Sequence, residues 1–139
     1  MGSAREKILS PVRCWILYAL SCGIRGYANI GEFVWADHLF LQEKSRQGIG
    51  MNVSAILNCM EKEGLVRYRY DFGKHSDHHI LTPDGKSQLK AAKNCGFFSE
   101  DIKRRKHKLF SLISQKDIFE NDYRKCLKAL ENIESGLSS

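Results

Sequence analysis

Apolar residues recur along the chain in two rhythms, and their order predicts a mainly α chain carrying one small β-hairpin. After Ser10-Pro11, a helix start with Ser10 as cap, Val12, Trp15, Ile16, Ala19 and Leu20 fall at helical spacing until Gly23. Leu17 and Tyr18 widen that face, so this helix is expected to be covered on more than one side. A second helix is expected with Asn29 as cap and Phe33, Val34, Ala36, Leu39 and Phe40 inward, starting a turn late because Gly31 weakens it. Residues 42–50 are polar and basic with Gly48 and Gly50 as punctuation, which reads as a loop. A third helix over 52–63 turns Val53, Ile56, Leu57 and Met60 one way and Met51, Ala55, Asn58 and Lys62 the other, with Asn52, Ser54 and Cys59 on its flanks.

Past Gly64 the period changes from 3.6 to 2. Val66, Tyr68 and Tyr70 alternate with Arg67 and Arg69, residues 72–77 form a polar turn, and residues 78–81 return as the partner strand. Thr82 caps a further helix with Pro83 at its first position, running through Leu89 and Ala92 to about Asn94 before Cys95-Gly96. Ser99 is the expected cap of the final segment. Counted in heptads from Ile102, the core positions Ile102, Arg105, Leu109, Leu112, Lys116, Phe119, Tyr123, Cys126, Leu130, Ile133 and Leu137 are apolar except for Arg105 and Lys116. This predicts one long helix, or two stacked ones with a bend near residues 114–117, where Ser114 and Asp117 have capping-box spacing. The chain thus divides into 1–96, a compact domain, and 97–139, a helical segment whose stripe asks for a partner, most simply a second copy.

Composition moves this picture toward a polyanionic partner. The 139 residues carry a net charge of +6, with 42% hydrophobic and 27% charged residues, enough apolar content to fold along most of the length. Five cysteines, Cys14, Cys22, Cys59, Cys95 and Cys126, are odd in number and scattered on half-apolar segments, which reads as reduced thiols serving as small buried hydrophobes in an intracellular, cytoplasmic protein. The apolar run from Val12 is too short to span a bilayer, so no membrane partner is expected. There is no phosphate-cradling glycine loop, no metalloprotease helix and no nucleophile motif, so an enzyme is not expected. His75, Asp77, His78 and His79 with Cys59 match no zinc spacing, and neither metal nor cofactor is expected. The basic run Lys103, Arg104, Arg105, Lys106, His107 and Lys108 surrounds a helix axis and reads as a solvated face with some contact to flanking nucleic acid. Trp15, Tyr18, Tyr27, Phe33, Trp35 and Phe40 fall at helical spacing, which makes them core first and the lining of a small aromatic effector pocket second.

The stretch Ser54-Ala55-Ile56-Leu57-Asn58-Cys59-Met60-Glu61-Lys62-Glu63-Gly64-Leu65-Val66, followed by a hairpin and then Leu81-Thr82-Pro83-Asp84-Gly85-Lys86, resembles the winged helix-turn-helix domain of PadR-type and MarR-type bacterial transcriptional regulators. The resemblance covers about residues 12–92 and is most specific from Ile56 to Gly85. The stretch 41–51 departs from the PadR pattern in being longer and more basic. The resemblance implies a winged helix-turn-helix domain plus a long C-terminal dimerisation helix. It implies a homodimeric, sequence-specific duplex-DNA-binding regulator, a repressor by occlusion, with two reading helices roughly 34 Å apart on an inverted repeat. In that reading Asn52, Ser54, Ala55 and Asn58 meet base edges, while Lys44, Arg46, Gln47 and Lys62 lie near phosphates. Arg67, Arg69, Lys74 and His75 belong to the wing. Ile102, Leu109, Leu112, Phe119, Tyr123, Cys126, Leu130 and Ile133 form the dimer stripe. Two other readings stand beside it: a winged helix protein-interaction or assembly module that docks through its C-terminal helix, and a DNA-binding protein of replication or plasmid maintenance.

Overall fold

A computed structural model describes residues 9–38, 46–69 and 78–137. Within them the chain runs α1 (Pro11–Ser21), α2 (Tyr27–Val34), α3 (Arg46–Lys62), β1 (Val66–Arg69), β2 (His78–Leu81), α4 (Pro83–Asn94), α5 (Phe97–Ser114) and α6 (Glu120–Leu137). This is a mainly helical fold with one two-stranded antiparallel hairpin. None of the described helices is long and apolar enough to cross a membrane.

The first helix is the axis of the structure. Ser10 Oγ accepts the Arg13 amide at 3.3 Å, and Pro11 supplies a preset first turn. Every residue from Cys14 to Ala19 is buried, because α2, α4 and β2 all pack on this helix. The wide apolar face therefore has the several neighbours it requires.

The second and third helices depart from the expected boundaries for one shared reason. Gly26, at φ +88°, starts α2 a turn earlier than expected, and the Asn29 side chain donates to the Arg25 carbonyl at 2.9 Å instead of capping. α2 ends at Val34, so Ala36 falls in the turn that follows, while Leu39 and Phe40 lie outside the described residues. α3 begins at Arg46, so Gly48 and Gly50 are helical rather than loop residues. A Cβ on Gly31 would run into the Ile49 side chain, and one on Gly50 would lie 3.5 Å from Tyr27 Cβ. Gly31 lowers helix propensity, but it lets α2 and α3 approach closely enough for Ile30, Val34, Ile49, Val53 and Leu57 to be buried.

After Gly64 (φ +81°), the pairing Val66↔Leu81, Arg67↔Ile80, Tyr68↔His79 and Arg69↔His78 sets the hairpin register. The predicted turn and Tyr70 lie outside the described residues. Thr82 fixes the exit: its hydroxyl donates to the Gly64 carbonyl at 2.6 Å and accepts the Gly85 amide at 3.0 Å. A Cβ at Gly85 would strike the Leu65 carbonyl oxygen, so the Thr-Pro-Asp-Gly sequence is set by this close approach.

The C-terminal stripe is not one free helix. α5, entered through Gly96 (φ +77°) rather than capped by Ser99, ends at Ser114; Lys116 takes φ +53°, and Asp117 accepts the Phe119 amide at 2.8 Å just before α6. Ser114 turns its hydroxyl to the Ser111 carbonyl at 2.6 Å, so no capping box with Asp117 forms. α6 packs back on α5, and Lys106 meets Glu134 at 2.9 Å across the pair. The residues expected to await a second chain are consequently occupied by their own. Leu109, Tyr123, Cys126 and Leu130 form one buried cluster with Leu112 half-buried against it, while Ile102 and Ile133 join the main core. Phe119 and Ile118 at the tip of the pair remain exposed, at 45% and 90%.

The 97–139 segment shares its core with the residues before it. Phe98 and Ile102 sit among the buried residues of α1, α3 and α4. Trp15 Nε1 donates to Asp101 Oδ2 at 2.7 Å, and the buried Arg105 guanidinium donates to the Val34 carbonyl at 2.9 Å and to the Asp37 carboxylate. Burial alone would raise the Asp37 pKa, yet the hydrogen bond and charge of Arg105 outweigh it and hold the carboxyl below its ordinary value. The aromatic side chains fill this junction. Trp15 stacks edge-on to Phe98 at 4.8 Å between centroids, and Tyr18 meets both Phe33 and Phe98. The Trp15, Tyr18 and Phe33 rings pack on one another, Tyr27 meets His79, and Phe40 lies outside the described residues.

Candidate nucleic-acid interface

α3 is two-faced, as its sequence predicts. Val53, Leu57 and Met60 are fully buried, Ile49 nearly so and Ile56 partly. On the other side Gln47, Met51, Asn52, Ala55, Asn58 and Lys62 are exposed, Met51 by 66%, with Ser54 half-buried at the margin. Among the described residues the side chains of Gln47, Asn52 and Asn58 have no hydrogen-bond partner, so their amides are directed to solvent. A row of amides, a methyl and a terminal lysine has the donor, acceptor and apolar groups that base edges and phosphates complement.

Two contacts set the attitude of this helix. Arg13 of α1 grips Glu63 just past its end in a fork, Nε to Oε1 and Nη2 to Oε2, both at 2.9 Å. Under the same end, His79 of β2 is buried between the Tyr27 and Tyr68 rings. Its Nε2 lies 3.6 Å from Glu61 Oε1, beyond hydrogen-bond reach, and Nδ1 lies 3.5 Å from the Tyr27 hydroxyl. Burial pushes the imidazole pKa down, against an opposing pull from Glu61.

On the hairpin, Arg67 and Arg69 are exposed, and the register puts them on the same side as Ile80 and His78. Of the other residues expected to contact nucleic acid, Lys44, Lys74 and His75 lie outside the described residues, as does the side chain of Arg46. The basic run of α5 is only partly a solvated face: Arg105 is buried, Arg104 pairs with Asp101 at 2.7 Å, Lys106 pairs with Glu134, and Lys103, His107 and Lys108 are exposed. Cysteine burial is also mixed. Cys14 and Cys126 are buried, with burial pushing the Cys14 thiol up to about 11, whereas Cys22, Cys59 and Cys95 are exposed. No three His, Cys, Asp or Glu side chains converge as a metal site among the described residues.

Sequence reasoning passed over Arg25, Lys86, Lys90 and Lys93, which line a groove beside β2. The available signal was the spacing of the three lysines, one face of α4 at i, i+4 and i+7. No protein family, curated protein or solved structure matches the chain.

Proposed function

We propose that the chain is a winged helix duplex-DNA-binding protein that acts as a homodimeric transcriptional regulator, a repressor by occlusion. The carrying observation is α3, clamped by its buried face while Gln47, Asn52, Ala55, Asn58 and Lys62 stand in solvent, with an arginine-bearing hairpin immediately after it. In this reading α3 enters the major groove. Asn58 and Asn52 meet base edges, Ala55 touches a thymine methyl, and Lys62, Arg67 and Arg69 face phosphates. The net charge of +6 supports association with a polyanion. The second copy joins through the exposed tip of the α5–α6 pair, where Phe119 of the heptad stripe remains open to solvent beside Ile118.

Titration of the purified chain into random and genomic duplexes across a salt series tests this. Tight, salt-dependent binding with preferred sequences is expected. Asn58→Ala should relax that preference, at a cost of about 1–3 kcal/mol on the preferred site. Lys62→Ala should weaken all duplexes alike. Affinity that stays weaker than millimolar at low salt for every duplex overturns the reading. A second reading, a protein-docking module, draws on the same exposed tip, Ile118 and Phe119.

A further inference from the structure

A groove of about 550 Å³ runs between the end of α1, the 23–25 turn, β2 and α4. Arg25, Lys86, Lys90 and Lys93 stand around it with His78, and none of the described residues lining it is Asp or Glu. Lys93 lies over the Tyr18 ring at 5.7 Å, whereas Arg25, Lys86 and Lys90 have no acidic partner among the described residues. Lysines one helical turn apart repel each other, and none of the described residues of the groove carries a negative charge to offset that repulsion. The positive surface also continues past the groove. Ile80 and His78, on its wall, pair across the hairpin with Arg67 and Arg69, one strand spacing away.

We propose that this groove is a second phosphate-backbone contact, which seats duplex DNA flanking the segment met by α3. The proposal rests on the DNA-binding reading above and extends it to the other side of the hairpin: β1 packs on α3, whereas β2 packs on α1 and α4. The character of the groove selects the occupant. A small phosphorylated compound is held in a pocket that closes over most of its surface. Here Arg25, Lys86 and Lys90 are exposed around an open groove, the two lysines one helical turn apart on α4. Exposed cations so placed match a backbone of regularly repeated charges, which releases counterions as each phosphate is met.

The experiment is a salt series on a long random duplex and on a duplex trimmed to the length α3 and the hairpin cover. For Lys86→Gln/Lys90→Gln, the slope of log affinity against log salt on the long duplex should become shallower by about 1.8, since each phosphate contact contributes about 0.9. Sequence preference should stay at the wild-type value, the melting temperature should not fall because the substitution removes a like-charge pair, and the trimmed duplex should show no difference between the two proteins. Arg25→Gln should give an independent loss of about 0.9 in slope. Unchanged slopes for both variants on the long duplex, with wild-type binding intact, overturn the groove and leave the DNA reading standing. A wild-type chain that binds no duplex overturns both. If adenosine triphosphate binds tightly to wild type and not to the double variant while the duplex slopes agree, the groove holds a free phosphorylated compound and the proposal is lost.

Discussion

A methyl group at position 31 would meet the Ile49 side chain and lie 3.2 Å from Val53 Cγ2, inside the seam between α2 and α3. Gly31→Ala is therefore expected to lose about 1–3 kcal/mol through overpacking, despite its better helix propensity. Urea unfolding measures this, and an equal or higher midpoint would show that the seam yields. His79 makes a different residue-scale prediction. Its imidazole is held below the ordinary 6.5 by burial, so the folded state binds the proton less readily than the unfolded chain. The stability it contributes is complete above about pH 6.5 and is lost as pH falls through that value toward the depressed folded pKa. His38, lowered chiefly by burial, acts with the same sign. The urea midpoint should drop between about pH 7 and pH 5, and less steeply in His79→Gln. Identical pH slopes in the two proteins would assign the effect to another group.

Among elements, Arg105 ties α5 to the end of α2 and the turn after it. Arg105 is buried against the Val34 carbonyl and the Asp37 carboxylate, so Arg105→Met leaves a buried acid without its counter-charge, at a cost of about 3–5 kcal/mol. Arg105→Met/Asp37→Leu should recover much of that loss in thermal unfolding, and a double variant no more stable than the single one would contradict the assignment. Local chemistry is where sequence and structure agree. The Ser10-Pro11 start, the inward face of α3, the two-stranded hairpin and the Thr82 cap depend on neighbours a few residues away, which periodicity and capping patterns record; the burial of β1 does not alternate, since Tyr68 is exposed like Arg67 and Arg69. Arg105 in the heptad stripe looked like a flaw in an oligomer seam because a heptad count is blind to which surface the stripe meets. Gly48 and Gly50 looked like loop punctuation for a similar reason. Both lie within α3, and Tyr27, the residue that Gly50 faces, is 23 positions earlier in the chain. The outward face of α3 was legible as a candidate site, while the groove beside β2 was not, because Arg25, His78 and Lys86 converge only through tertiary packing.

At the scale of the molecule, residues 97–139 complete the core of residues 1–96 instead of standing apart from it. Leu130 is fully buried within its own chain, so Leu130→Asp should unfold the helical pair rather than only separate two copies. The informative variant is at the tip. Ile118→Asp/Phe119→Asp changes two exposed side chains, of which Phe119 also meets the Tyr123 ring at 6.4 Å; if the proposed homodimer forms through the tip, sedimentation should show monomers where the unchanged chain gives dimers, and an unchanged mass would rule the tip out. The shared core also bears on how the chain is made. Trp15 and the carboxylate that accepts its indole proton are 86 residues apart in sequence, and Arg105 is 71 residues from the carbonyl it binds. A ribosome adding about 5–20 residues per second leaves the indole waiting roughly 4–17 s for Asp101 to be made. Through that interval the central helix of the nascent chain lacks the partner that closes over it, which makes it a target for chaperone capture during translation.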